Sequence, residues 1–361
     1  MKISFNSTIF SKEKNGGISR YFVYLAKKLI ENKVDIKIIS VLHKNKFLKL
    51  LSKKYYEGLY LSNYPSIKLI ENLNLGKFNS YNEKHSVDII HDTYYTPGII
   101  KKNIKKVITV HDLIHEKFKY FYRNSEELIS LKQKAFKDCD HFICVSNNTK
   151  EDLKEFYNIS SDKITVINHG ADHFVGTNSQ IDFQISSPFL LYVGNRERYK
   201  NFDFFLKVFA KTNRINQELK LICFGGGKFN KKERRMISDL SMSKKIFQIN
   251  GDDKLLANHY LQASALVVPS VYEGFGLPLL EAMRFSCPIF CSDIEVFKDI
   301  CGDNAVYFSP YKEMDLIEKL EKEIFNTTML KDIASKNLIK SNNYSWDKTC
   351  LKTMNVYKNL I

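Results

Sequence analysis

The stretch Phe189-Leu190-Leu191-Tyr192-Val193-Gly194-Asn195-Arg196-Glu197-Arg198-Tyr199-Lys200-Asn201 decides how the rest of the chain is read. Its consecutive apolar residues predict a strand buried on both faces, because a half-solvated strand would alternate apolar with polar positions. A glycine ends the run. Phe202, Phe205, Leu206 and Phe209 then recur at the three- and four-residue spacing of a helix face. Leu219 to Phe224 is the next apolar run, closed by Gly225-Gly226-Gly227. Strand, glycine turn, helix and strand make the parallel unit of a doubly wound α/β sheet.

The cadence extends in both directions. Candidate strands are Lys2 to Asn6, Asp35 to Val41, Val87 to His91, Lys106 to His111, His141 to Val145, Ile164 to Asn168, Phe189 to Val193, Leu219 to Phe224, Ile246 to Ile249, Ala265 to Val268, Pro288 to Cys291 and Ala305 to Phe308. Ile18, Tyr21, Phe22, Leu25, Leu29 and Ile30 mark a helix face packed on the first series. The pattern occurs twice, so the expected fold class is α/β with two Rossmann-like domains facing across a cleft. The polar stretch 176–188 is the expected linker, with domains at 1–180 and 181–341 and a terminal segment at 342–361. Ligands of open α/β sheets bind beyond the carboxyl ends of the strands.

Composition bounds the function. The 361 residues are 44% hydrophobic and 13% aromatic, which excludes a disordered chain, and no stretch has the roughly 18 apolar residues of a membrane span. Lys and Arg number 55 against 40 Asp and Glu, a net charge of +15 that suits polyanions, anionic lipid surfaces or phosphorylated small molecules, or reflects only a lysine-rich composition. No nucleic-acid module is present, and nucleic acid is not an expected partner. The seven cysteines contain no CxxC pair; Cys287, Cys291 and Cys301 lack nearby histidines, so buried thiols are expected and no metal site. Met1-Lys2-Ile3-Ser4-Phe5-Asn6 lacks the pattern of a secretory signal, and a cytoplasmic protein is expected. Residues 43–84 carry Lys44, Lys46, Lys49, Lys53 and Lys54 among Phe47, Leu48, Tyr55 and Tyr56. Two readings stand for this excursion: a membrane-interface contact, or a soluble helix with solvated lysines.

Several loops are candidates for chemistry. Gly16-Gly17 follows the first strand and precedes a helix, as either a phosphate loop or a tight turn. Gly194 followed by Arg196 and Lys200 places two cations at a sheet's carboxyl edge, suited to a diphosphate if they are more than surface charge. Gly225 ends another strand where a side chain would obstruct a ligand or a helix. In Pro269-Ser270-Val271-Tyr272-Glu273-Gly274-Phe275-Gly276-Leu277-Pro278-Leu279-Leu280-Glu281 a buried strand passes through a glycine loop into a helix. There Glu273 is suited to sugar hydroxyls, Gly274 to Leu277 to an anion, and Glu281 to a diol, while hydrolysis by paired carboxylates and a plain structural loop remain alternatives. His91-Asp92 and His111-Asp112 end strands of the first domain, where a neutral imidazole can donate to a substrate oxygen. His169 either holds a loop or lies at the interdomain bend.

Taken in order, these marks resemble a known family. Glu273 to Glu281 resembles the two-glutamate signature of the retaining family 4 glycosyltransferases, and Gly194, Arg196 and Lys200-Asn201 resemble their donor-diphosphate motif. Gly16-Gly17, Val110-His111-Asp112-Leu113, Cys144 to Thr149, Asn168-His169-Gly170 and Phe224-Gly225-Gly226 agree, so the resemblance spans nearly the whole chain. It implies a GT-B fold, with an acceptor-binding N-terminal domain, a nucleotide-sugar-binding C-terminal domain and a last helix crossing back to the first.

The resemblance also implies roles. Glu281 would hold the donor ribose, Glu273 the transferred sugar, and Arg196 with Lys200 the diphosphate. His111 would lie near the transferred sugar and the Gly16-Gly17 loop near donor phosphate or acceptor. Catalysis is thus expected from His111, Glu273, Arg196 and Lys200. Donor binding adds Gly16, Gly17, Gly194, Gly225, Gly274, Phe275, Gly276, Leu277 and Glu281; acceptor binding adds His91, Asp92 and Asp112. The resemblance further implies that no catalytic divalent ion and no cofactor is needed.

The likeness to bacterial mannosyltransferases of O-antigen and capsule synthesis makes GDP-mannose the first expected donor, with UDP- and dTDP-sugars open. The acceptor would be an oligosaccharide or lipid-linked saccharide at the inner face of the cell membrane. Two other function classes are weighed against transfer. A catalytically inactive nucleotide-sugar or polysaccharide-binding protein would not need both glutamates and both cations, and an epimerase would form no glycosidic bond.

Overall fold

The computed structural model describes residues 1–64, 66–96, 104–174, 185, 187–212 and 214–361. They form two compact units, Met1–Gly170 with Ser345–Ile361, and Ala171–Tyr344. The first unit contains β1 (Lys2–Asn6), β2 (Asp35–Ile39), β3 (Ile89–Asp92), β4 (Lys105–Val110), β5 (His141–Cys144) and β6 (Ile164–Val166). These pair, all in parallel, in the order β2-β1-β3-β4-β5-β6. The order turns back between β1 and β3, so Asn6 and Asp92 end side by side, at the switch point where α/β sheets open.

The second unit contains β7 (Phe189–Val193), β8 (Lys220–Phe224), β9 (Ile246–Ile249), β10 (Ala265–Val268), β11 (Ile289–Ser292) and β12 (Val306–Phe308). Their order is β9-β8-β7-β10-β11-β12, again parallel, with the switch point between β7 and β10. All twelve expected strands are present, shifted or trimmed by at most two residues at an end. Not expected from the sequence was a small parallel pairing of Leu42–His43 with Leu59–Tyr60.

Helix α1 (Gly17–Glu31) buries Tyr21, Phe22, Leu25 and Leu29 against the first sheet, the face its spacing predicted. The C-terminal helix Trp346–Leu360 packs on α1: Trp346 stacks on Tyr24 with ring centroids 5.5 Å apart. Helix α2 (Ile67–Lys84) covers β1 and β2, and α3 (Asn147–Tyr157) is capped by Ser146, whose hydroxyl accepts from Thr149 N at 3.0 Å. In the second unit α4 (Phe202–Lys211) buries Phe202, Phe205, Leu206 and Phe209. Each such side chain contributes about 1.5–3 kcal/mol by leaving water, an upper bound against a compact unfolded chain. Helices α5 (Lys231–Asp239), α6 (Asp253–Gln262) and α7 (Leu277–Arg284) complete the elements around the second switch point.

The units divide at Gly170/Ala171 and Tyr344/Ser345, not at 180/181 and 341/342. Phe174 packs edge-on against Phe285, and Tyr344 lies beside Phe275, so both belong to the second unit. Gly170 stays with the first: a Cβ there would come within 2.3 Å of Trp346 N, so only glycine admits this approach of the returning chain. The expected linker lies largely outside the described residues.

Candidate functional site

The second switch point gathers what the sequence placed eighty residues apart. Gly194, directly after β7, sits at φ +125° with open space where a Cβ would project. β10 ends before Ser270, and Val271 N donates to Tyr199 O at 2.8 Å, binding the two loops together. This contact brings Lys200 Nζ to 2.6 Å from Glu273 Oε1, which also accepts from Ser270 Oγ at 2.7 Å. The pair is largely buried, with 16% and 12% of the two side chains exposed. Lys200 is further fixed by the turn into α4, where Asn201 adopts φ 56° and donates through Nδ2 to Pro310 O.

Beyond Glu273 the chain enters α7. Gly276, at φ +141°, supplies its N-cap without a side chain, and Pro278 occupies its first turn. Gly276 brings no side chain to the first-turn amides, which form the positive end of the helix. Phe275 is buried, and Gly274 and Leu277 complete the loop. Glu281 lies one turn into α7, buried, with Oε2 accepting from Tyr260 OH at 2.9 Å.

Arg196 is used differently from expectation. Its Nε donates to Glu233 Oε1 at 2.9 Å, Nη1 to Gly225 O at 3.1 Å, and Nη2 to Gly227 O at 2.9 Å. Phe202 and Phe229 lie beside the guanidinium, and the Arg196 side chain is 4% exposed. Arg196 thus staples the glycine loop at positive φ, a structural part that the expectation of a diphosphate cation did not include. Gly225 and Gly226 sit at φ +84° and +69°; a Cβ on Gly226 would collide with Arg196 Nη1 and Gly194 O. Glu233 closes the arrangement as the third residue of a capping box with Asn230 on α5. The pattern Asn230-x-x-Glu233 was available in the sequence, but nothing local tied it to Arg196.

In the first unit the histidines separate into two kinds. His91 is fully buried: Nδ1 lies 2.6 Å from Tyr357 OH and Nε2 2.9 Å from Thr109 Oγ1, with Phe5 and Phe22 edge-on to the ring. Burial pushes its pKa down to about 3. Asp92 is equally buried, 3.0 Å from Lys106 Nζ and accepting from Asn6 Nδ2 at 2.5 Å. Neither reaches a surface, which corrects the expectation that they contact an acceptor. Each sits where an adjacent strand or the C-terminal helix satisfies it.

His111 contrasts with both. It lies just past β4 against Tyr21 and His169, with ring centroids 5.1 and 5.5 Å away, and its Nε2 is buried with no hydrogen-bond partner among the described residues. Burial, then the neighbouring His169 and His91, hold its pKa well below the ordinary histidine value, so the ring is neutral. Asp112, half-buried, accepts from Ile114 N at 3.3 Å in the turn before the short helix Ile114–Lys117.

The Gly16-Gly17 turn is also closed from within. Glu13 Oε2 accepts from Ser19 N at 3.0 Å in the first turn of α1, and a Cβ on Gly16 would lie 2.1 Å from that oxygen. Burial raises the Glu13 pKa despite this bond. The anion at this helix end is the chain's own carboxylate. The motif Asn168-His169-Gly170 is a seam in the same unit: Asn168 O accepts from Thr349 Oγ1 at 2.8 Å on the C-terminal helix.

All seven cysteines are free and buried. Among the described residues no three His, Cys, Asp or Glu side chains are grouped to hold a metal ion.

Sequence comparison agrees with this architecture. Residues 15–173 match the family Glycosyltransferase Family 4, and residues 179–339 match Glycosyl transferases group 1. The O-antigen chain mannosyltransferase RfbU of Salmonella typhimurium is 28% identical over 68% of this chain and 66% of its own length. A serotype-specific mannosyltransferase, WbdA of Escherichia coli, is 25% identical over 72% of this chain and 34% of its own length. The chain thus spans just under two thirds of the first relative and about a third of the second. Among solved structures, sucrose-phosphate synthase from Thermosynechococcus elongatus superposes with a TM-score of 0.80 over 100% of this chain and 99% of that one, at 17% identity, and shares its fold. The fold is GT-B, and the chain belongs to glycosyltransferase family 4.

Proposed function

We propose that the chain transfers a hexosyl group, mannose from GDP-mannose in the first instance, from a nucleotide diphosphate to a saccharide or lipid-linked saccharide of a surface polysaccharide. The observation that carries this reading is the Lys200–Glu273 pair at the second switch point, beside the start of α7. Lys200 is the cation for the diphosphate, Glu273 accepts from hydroxyls of the transferred sugar, and Glu281 accepts from the ribose. The amides of Gly276 and Leu277 face the negative charge. In the first unit His111, neutral and with Nε2 uncommitted, donates to or accepts from a sugar hydroxyl.

Transfer breaks the bond between the anomeric carbon and the diphosphate oxygen, whose electron pair stays with the phosphate. Lys200 and the helix amides stabilise the charge growing there. The acceptor oxygen bonds to the anomeric carbon from the same face, and its proton goes to the leaving phosphate, so configuration is retained. The test is a screen of GDP-, UDP- and dTDP-sugars with lipid-linked saccharide extracts, read by product mass and anomeric NMR couplings. Acceptor-dependent gain of one hexose supports the reading; nucleotide-sugar interconversion without a new glycoside would contradict it.

We also propose that residues 43–84 dock the protein peripherally on an anionic membrane surface. Leu59, Leu69 and Leu73 are 72%, 55% and 48% exposed on a segment that also carries Lys44, Lys53, Lys54 and Lys68. Leu48, Leu51 and Tyr56 of this excursion are buried, whereas Tyr60 and Ile67 are exposed beside the leucines and share the contact. Among the described residues no helix is long and apolar enough to cross a membrane.

A further inference from the structure

A cavity of about 210 Å³ opens in the first unit beside its switch point, between the segment after β1 and helix α2. At about 30 Å³ per water it holds roughly seven waters, the scale of one pyranose ring. Leu75, Phe78 and Tyr95 form an apolar wall, and Ser7, Thr8, Lys12, Glu71 and Asn72 supply hydroxyl, ammonium, carboxylate and amide groups. An apolar wall facing convergent hydrogen-bonding groups suits a ligand with C–H faces and hydroxyl edges.

Two details narrow the ligand further. Lys12 Nζ and Glu71 Oε1 lie 2.6 Å apart, so the opening carries paired charges and offers no uncompensated cation to a phosphate. Ser7 is a lining residue, 2% exposed, and its Oγ is buried with no hydrogen-bond partner among the described residues. A buried hydroxyl is rarely left unpaired in a protein interior. The floor is rigid: Thr8 Oγ1 and Thr96 Oγ1 lie 2.8 Å apart, and Asn6 reaches both Thr96 and the buried Asp92–Lys106 pair.

We propose that this cavity binds one uncharged hexopyranose of the saccharide acceptor. The assignment of the sugar to the acceptor rests on the transferase reading above; the pocket chemistry does not. Asp92 then serves the acceptor at one remove, by fixing Asn6 and through it Thr96.

Saturation-transfer NMR with methyl α-mannoside, methyl α-glucoside, methyl β-galactoside and methyl α-N-acetylglucosaminide tests it on the full chain. At least one glycoside should receive saturation, and Asn72→Trp, which fills the opening from an exposed helix position, should abolish it. Glu71→Gln, a conservative change that keeps the fold, should weaken binding at least about fivefold, the scale of a lost hydrogen bond to a charged group. Lys200→Ala should leave the signal intact, because Lys200 belongs to the other unit. No saturation of any glycoside, or a signal unmoved in both cavity variants, would overturn the proposal. In transfer assays Glu71→Gln should raise the acceptor KM; an unchanged KM with hexoside binding lost would overturn its assignment to the acceptor. Failure of nucleotide-sugar binding by the wild type would instead sink the transferase reading, and leaves the hexoside result standing.

Discussion

Lys200 and Glu273, seventy-three residues apart, meet at 2.6 Å because β7 and β10 are neighbours at the point where their sheet reverses its order. A parallel doubly wound sheet sends successive strands outward on either side of that point, so only there do two loops leave adjacent strands without a covering helix between them. The pair links a cation suited to phosphate with a carboxylate suited to hydroxyls, each holding the other in place. Binding of a nucleotide-sugar would exchange one internal ion pair for two external contacts. The net gain comes from the geometry already being set.

Arg196 should matter for stability before it matters for ligand. Removing one partner of a buried ion pair costs about 3–5 kcal/mol, and in a unit of this size each kcal/mol moves Tm by about 2–4 °C. Arg196→Ala should therefore lower the Tm of the second unit by about 6 °C or more, visible by calorimetry. An unchanged Tm with a lost nucleotide affinity would show the guanidinium to be a ligand group after all.

Gly170→Ala should loosen the C-terminal helix. The new Cβ would press on backbone atoms of Ser345 and Trp346, which cannot turn aside as a side chain can. Overpacking of this kind costs about 1–3 kcal/mol. Trp346 is the single tryptophan and is buried, so its fluorescence should shift to the red in the variant at urea concentrations that leave the wild type unmoved. Coincident wild-type and variant curves would mean that the seam has slack.

Acid should destabilise the first unit. His91 and His111 stay neutral in the fold with depressed pKa values, whereas in the unfolded chain they take up protons near pH 6.5. The unfolded state thus binds more protons below that pH, and stability present above it falls as pH drops. His91 alone accounts for about 2 kcal/mol by pH 5. Asp92, pushed up to about 6 by burial, works in the opposite direction and offsets about 1 kcal/mol. Urea midpoints should be lower at pH 5 than at pH 7.5, and His91→Gln should flatten the difference. Equal midpoints at both pH values would show that these rings protonate in place.

Membrane docking makes a separate prediction. Leu59→Glu with Leu69→Glu should abolish cosedimentation with vesicles rich in phosphatidylglycerol, and salt should weaken wild-type binding because the lysine contribution is screened. Equal sedimentation of wild type and variant would remove residues 43–84 from the interface.

The architecture was legible because buried parallel strands leave a local signature. Ala265 to Val268 and Phe189 to Val193 are apolar at every position, and no other element of that length needs to be. The glutamates and Lys200 were legible as types in glycine-bounded loops. What escaped was pairing over distance. His91 reads as a polar strand end until Tyr357, 266 residues away, is seen to satisfy it. Arg196 reads as a free cation until Glu233 and three carbonyls of the glycine loop are seen around it. Helix α2 hides its pocket because its exposed leucines and scattered polar residues give no clean apolar stripe.

The most direct test is the rate of sugar transfer in Lys200→Ala and Glu273→Gln, measured as kcat/KM on the donor the screen identifies. Removing a preorganised group that meets developing charge costs about a hundred- to a thousandfold. Both folded variants should fall by that much, and the double variant by less than the product, since the two residues act together. Wild-type rates in either variant would contradict the assignment of this ion pair to the reacting donor.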